Sequence, residues 1–164
     1  MGDIFVEQLV KRQTQSGQKG IIFVLSLLAA VLCFAGFFLY NIILLPAAAV
    51  VGIAVWYYRR TDIEYEYCLV NTQFDVDKII AKSKRKQLIS VELKNLEIVA
   101  PIGSDRLIRL NNIKTLDFST GENNVQTFAM VVRTDKESIK IIFNPNNKLM
   151  DAIYKMAPSK VFAN

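Results

Sequence analysis

The side chains able to do chemistry in this 164-residue chain are few, and they cluster. There is no histidine, which removes the usual general base and the commonest metal ligand. Glu64, Glu66, Asp75 and Asp77 alternate with apolar residues along two neighbouring stretches. If those stretches pair as a hairpin without a register slip, the four carboxylates share its outer face, where paired carboxylates bind hard cations or serve acid–base work. No Gly-rich calcium loop and no nucleophile–base pair accompany them, so solvation, or pairing with Lys and Arg on a neighbouring strand, is the expected role. Lys82, Lys84, Arg85 and Lys86 form a basic run that could meet anionic lipid headgroups, each cation contributing about 1 kcal/mol near such a surface. A solvated basic turn is the plainer alternative. Tyr65 and Tyr67 alternate with the glutamates and belong in a core. Phosphate-loop, dinucleotide, zinc and catalytic-triad spacings are absent, so no catalytic residue, cofactor or metal is expected.

These residues lie in a chain of two unlike parts. Between Ile21 and Tyr58 there is no Asp, Glu, Lys or Arg. As one helix that run would measure about 57 Å, far beyond the ~30 Å hydrocarbon core of a bilayer. Two spans fit, with the break at Tyr40-Asn41, the most polar point, and Pro46 early in the second span, where proline costs least. A transmembrane helical hairpin over residues 20–58 follows. Lys11, Arg12 and Lys19 precede it, Arg59 and Arg60 follow it, and the turn carries no cation, so both termini are expected in the cytoplasm of a multi-pass protein of the cell membrane. Trp56, Tyr57 and Tyr58 suit the inner interface, and Phe37, Phe38 and Tyr40 the outer one. Around a turn at Asn41, Ala30 lies level with Gly52 and Ala35 level with Ala47, small residues that let helices approach closely. Cys33 in the hairpin and Cys68 beyond it sit at different depths and read as small apolar fillers. An h-region of a cleaved signal peptide is shorter than this run, and Val6 breaks the myristoylation pattern at Gly2.

Residues 1–19 read as a cytoplasmic amphipathic N-terminal segment: a short helix over residues 1–12 that lies on the inner leaflet or docks on the soluble part, then a polar connector at residues 13–18. From residue 61 to 158 the period changes to alternation. Strands are expected at residues 62–69, 74–80, 88–93, 96–100, 113–118, 125–133 and 138–143, with turn-rich pieces between most of them and the basic run of residues 82–86 at a hairpin tip. Seven short strands argue for an antiparallel sandwich or small barrel. Asn144 as N-cap and Pro145 as first helical residue then open a closing helix, with an apolar stripe of Leu149, Met150, Ile153, Tyr154 and Ala157, stopped by Pro158. Residues 159–164 form a tail.

This order of elements resembles the pleckstrin-homology-like fold, above all the PH-like domains of small bacterial membrane proteins. The resemblance rests on YEYCLVNTQFDVDKI at residues 65–79, KQLISVELKNLEIVAP at 86–101 and IIFNPNNKLMDAI at 141–153, together with GDIFVEQLVKR at the N-terminus. These segments are similar to an uncharacterised bacterial family whose domain has no assigned function. The resemblance implies a membrane-anchored α+β protein with a PH-like β-barrel or sandwich and a capping helix, and it implies no activity. PH-like domains that read phosphoinositides place basic residues chiefly in the loop between their first two strands, and here that loop, Asn71-Thr72-Gln73, is uncharged.

Nucleic acid is a poor partner, because from Thr61 onward 15 Lys and Arg face 13 Asp and Glu without an arginine–aromatic cluster. The expectation is therefore an integral membrane protein presenting a PH-like domain at the cytoplasmic face as a non-enzymatic adaptor for a protein partner. Binding of anionic lipid through Lys82, Lys84, Arg85 and Lys86 is the first alternative, and a subunit of a larger membrane transport complex the second.

Overall fold

The computed structural model describes residues 4–110, 113–134 and 137–162. The chain divides into two compact units. One holds helices α1 (Ser16–Phe38) and α2 (Leu44–Thr61) with residues 80–83. Tyr40, in extended conformation, leads into a 3-10 turn, Asn41–Ile43, at the expected break. Pro46 falls in the first turn of α2, where its missing N–H has no intrahelical acceptor to lose. Ala29, Gly36 and Ala47 are the small residues buried in this pair. A Cβ on Gly36 would lie 2.7 Å from Leu44 Cδ2 and 3.2 Å from the Leu44 backbone nitrogen, so glycine permits the close approach of the turn. Ala30 and Gly52, expected at the contact, are exposed, and Ala35 is half-buried. The 3-10 turn consumes residues 41–43 before α2 begins, which rotates the facing positions away from simple depth matching around Asn41.

Both helices are long and apolar enough to cross a membrane, and only 11% and 6% of their most apolar stretches are buried within the protein. A core helix of a soluble protein hides its apolar side; these expose it. At the end of α2 the Arg60 guanidinium sits 4.2 Å over the Trp56 ring.

Among the described residues, the second unit is a sandwich of two four-stranded sheets without barrel closure. The first sheet has the order β1 (Phe5–Lys11), β2 (Ile63–Val70), β3 (Gln73–Ile80), β4 (Lys84–Glu92). The second has the order β5 (Leu96–Pro101), β7 (Phe128–Arg133), β8 (Ser138–Phe143), β6 (Lys114–Asp117), with β6 parallel to β8. The inward residues interleave: Tyr67, Phe74 and Phe143 meet with ring centroids 5.7–6.2 Å apart, among Leu69, Val76, Val99, Met130 and Ile141. Helix α3 (Asn147–Met156) buries Leu149, Ala152 and Ile153.

Three expectations change here. The N-terminal segment is strand β1, not a helix, and it pairs antiparallel with β2 over seven residue pairs from Phe5↔Val70 to Lys11↔Glu64. Seven residues are too few to hold a helix alone, whereas a waiting sheet edge satisfies their backbone. The cap of α3 is Asn146, whose side chain accepts from the Leu149 N–H at 2.8 Å, while Asn144 is buried two residues earlier. Tyr154 points to solvent, and Ala152 takes its place in the buried stripe.

Candidate interaction surface

The outer face of the first sheet gathers the charged side chains of four strands. Antiparallel partners share a face, so Glu7 and Lys11 on β1 stand beside Cys68, Glu66 and Glu64 on β2. From β3 come Asp75 and Asp77, and from β4 comes Arg85. Its Nε donates to Asp77 Oδ2, and its Nη2 stands 2.8 Å from Glu66 Oε2 without the alignment of a hydrogen bond. The four carboxylates therefore do lie on one face, with an arginine bridging two of them. Gln73 extends the network, donating to Asp75 and, at 2.9 Å, to Ser90 Oγ.

Glu66 is only 4% exposed although its strand face points outward. The hydrogen bond that the protonated Glu66 carboxyl donates to Glu7, and then burial, hold the Glu66 carboxyl above its ordinary value, against the opposing pull of Arg85. Burial first, and then the Glu7 charge, also push the Cys68 thiol up. Among the described residues no three His, Cys, Asp or Glu side chains converge as a metal site. Alternation alone located Glu64, Glu66, Asp75 and Asp77; Glu7 escaped notice because its segment reads equally well as a helix.

The basic run splits. Residues 80–83 make the β3–β4 turn, with Ala81 and Lys82 at φ of 50° and 54° and Ser83 N–H donating to Ile80 O at 3.1 Å. This is the two-residue hairpin turn whose central positions favour Asn-Gly, so the sequence hides it, and the tip expected at residues 82–86 lies instead at residues 80–83. Lys84, Arg85 and Lys86 instead open β4. Ala81 N–H donates to Asp62 O at 2.9 Å, tying the turn to the residue after α2. Lys82 is thereby placed beside the end of α2, while Arg85 is committed to carboxylates.

A third group is polar and buried. Asn144 Oδ1 accepts from Thr120 N–H at 2.7 Å, and its Nδ2 donates to Gln126 O and Thr127 Oγ1. The Asn144 carbonyl accepts from Gln8 Nε2 at 2.8 Å, and Gln8 Oε1 accepts from Asn146 N–H at 2.7 Å. Tyr67 donates to Phe118 O at 2.6 Å and accepts from Asn144 N–H at 3.4 Å; burial pushes its phenol well above the ordinary range. This network fastens β1 to the approach of α3. It positions elements and holds no aligned nucleophile and base.

A family model described as a bacterial PH-like domain (DUF6106) matches residues 2–163, nearly the whole chain. No curated protein matches it.

Proposed function

Because the chain belongs to the bacterial PH-like domain family, we propose that it anchors a PH-like domain at the cytoplasmic face of the cell membrane, where the domain works as a non-enzymatic adaptor for a protein partner. The carrying observation is the seven-pair ladder between β1 and β2, the strands on either side of the helical hairpin in the chain. Strands in one ladder occupy one side of a bilayer, because an unpaired backbone cannot cross hydrocarbon. Residues 11 and 63 thus start and finish on one side, which requires an even number of crossings, and two apolar helices lie between them. Lys11, Arg12 and Lys19 before the hairpin, with Arg59 and Arg60 after it, support the cytoplasm as that side.

The adaptor role is supported by a scaffold in which Arg85 pairs with Glu66 and Asp77 and the buried Tyr67 and Asn144 hold strands and turns together. Crosslinking in the native membrane, then purification of the full chain in mild detergent, tests it. One protein recovered reproducibly and in near-equal amount is expected; reproducible recovery of the chain alone contradicts it.

Contact with anionic lipid through Lys82, joined by Lys84 and Lys86, is a second reading favoured by one observation. Lys82 occupies a left-handed conformation that glycine or asparagine would adopt more cheaply, beside the end of α2. Arg85, engaged with Glu66 and Asp77, drops out of that reading. Lys82→Gly should weaken association of the C-terminal domain's surface with phosphatidylglycerol in nanodiscs relative to phosphatidylcholine, read by hydrogen exchange at the turn; equal protection in both lipids defeats it.

A further inference from the structure

Among the described residues, three of the four sheet edges carry protection against pairing with another chain. The edge of β5 is covered by the C-terminal segment, with Val99 N–H donating to Lys160 O and Phe162 N–H to Val99 O, both at 2.8 Å. The edge strand β6 has four residues, and β4 opens with Lys84, Arg85 and Lys86. β1 differs: it is seven residues long, and Phe5 and Leu9 on its outer face are 64% and 55% exposed.

The register determines which backbone groups that edge offers. Asn71 N–H donates to Ile4 O at 2.8 Å, and the pairing continues as Phe5↔Val70, Val6↔Leu69 and so on. Hydrogen-bonded and non-bonded pairs alternate in an antiparallel ladder. Val6, Gln8 and Val10 therefore bond β2, while Phe5, Glu7 and Leu9 aim N–H and C=O outward. Beside this edge lies a groove of about 350 Å³ between β1 and α3, lined by Ile4, Val6, Ala152, Lys148, Asp151 and Lys155.

We propose that this edge and groove receive an extended segment of a protein partner, added to β1 as a further strand, with an apolar residue over Ile4, Val6 and Ala152 and carboxylates toward Lys148 and Lys155. The inference rests on the adaptor reading and names its docking surface. The row of alternating donors and acceptors selects a peptide backbone over an acyl chain. Two lysines against Asp151 select acidic residues on the groove side, and Phe5 and Leu9 select apolar or hydroxyl residues on the other.

The probe is the blocked nonapeptide Ser-Ile-Glu-Thr-Val-Ile-Glu-Thr-Ser, titrated into the full chain in detergent micelles beside a counterpart carrying lysine for both glutamates. The glutamate peptide should bind at least tenfold more tightly and slow exchange at the Phe5, Glu7 and Leu9 amides. Leu9→Pro removes one outward N–H and leaves the β2 ladder intact; it should weaken binding at least tenfold, and Leu9→Ala by clearly less. Lys148→Glu with Lys155→Glu should reverse the charge preference, which keeps the test decisive if Leu9→Pro does not fold. Absence of binding at millimolar peptide, or charge-swapped variants that bind unchanged, overturns the proposal. A dimer of the chain that Leu9→Pro dissociates also overturns it, by making a second copy the occupant. A crosslinked partner mapped to another face, with this probe unbound, sinks the docking surface and leaves the adaptor reading standing.

Discussion

At the scale of single residues, two buried groups make sharp predictions. Tyr67 satisfies the Phe118 carbonyl and the Asn144 amide from inside the core. Tyr67→Phe leaves both without that partner, and the expected loss is about 1–3 kcal/mol, read as the shift in a denaturation midpoint. Glu66 carries a pKa raised by Glu7 and by burial. A carboxyl with a higher pKa folded than unfolded keeps its proton longer in the native state, so stability falls as pH rises from the ordinary carboxylate value through the raised one. Glu7→Gln removes the neighbouring charge and supplies an amide donor. It should lower the Glu66 pKa and flatten that slope, measured as the unfolding temperature in detergent between acid and neutral pH; an unchanged slope contradicts the Glu7–Glu66 coupling.

At the scale of elements, the β3–β4 turn and strand β1 carry the tests. Ala81 and Lys82 both sit in left-handed conformations, and replacing them by Asn-Gly should raise stability by about 1–2 kcal/mol in thermal unfolding. Deletion of residues 4–11 uncovers the β2 edge and cuts the Gln8 link to Asn144 and Asn146, so amide exchange along β2 and at the start of α3 should accelerate together. Strands β2 to β8 were legible because alternation with turn residues between them is a strong local signal, and α3 because its apolar spacing is helical. β1 was not, since FVEQLVK places apolar residues compatibly with both periods and only a partner 53 or more residues away decides between them. The turn at Ala81-Lys82 was hidden by the absence of glycine, and the α3 cap by two asparagines flanking Pro145. On the outer sheet face, Glu64, Glu66, Asp75 and Asp77 were readable from spacing, but Glu7 and Arg85 needed the register.

At the scale of the whole molecule, chain connectivity joins the two parts. A strand before the helical hairpin and a strand after it complete one sheet, so the PH-like domain is built from both sides of the hairpin in the chain. A domain boundary drawn at residue 61 omits β1, and a fragment starting there lacks a sheet edge. The most direct measurement is labelling of intact cells with a membrane-impermeant thiol reagent, using Cys33→Ala, Cys68→Ala as background and single cysteines at Gln13, Asn41 and Lys148. The account predicts reaction at position 41 from outside and at positions 13 and 148 only after the membrane is opened. Reaction at position 148 in intact cells, or opposite behaviour at 13 and 148, contradicts it.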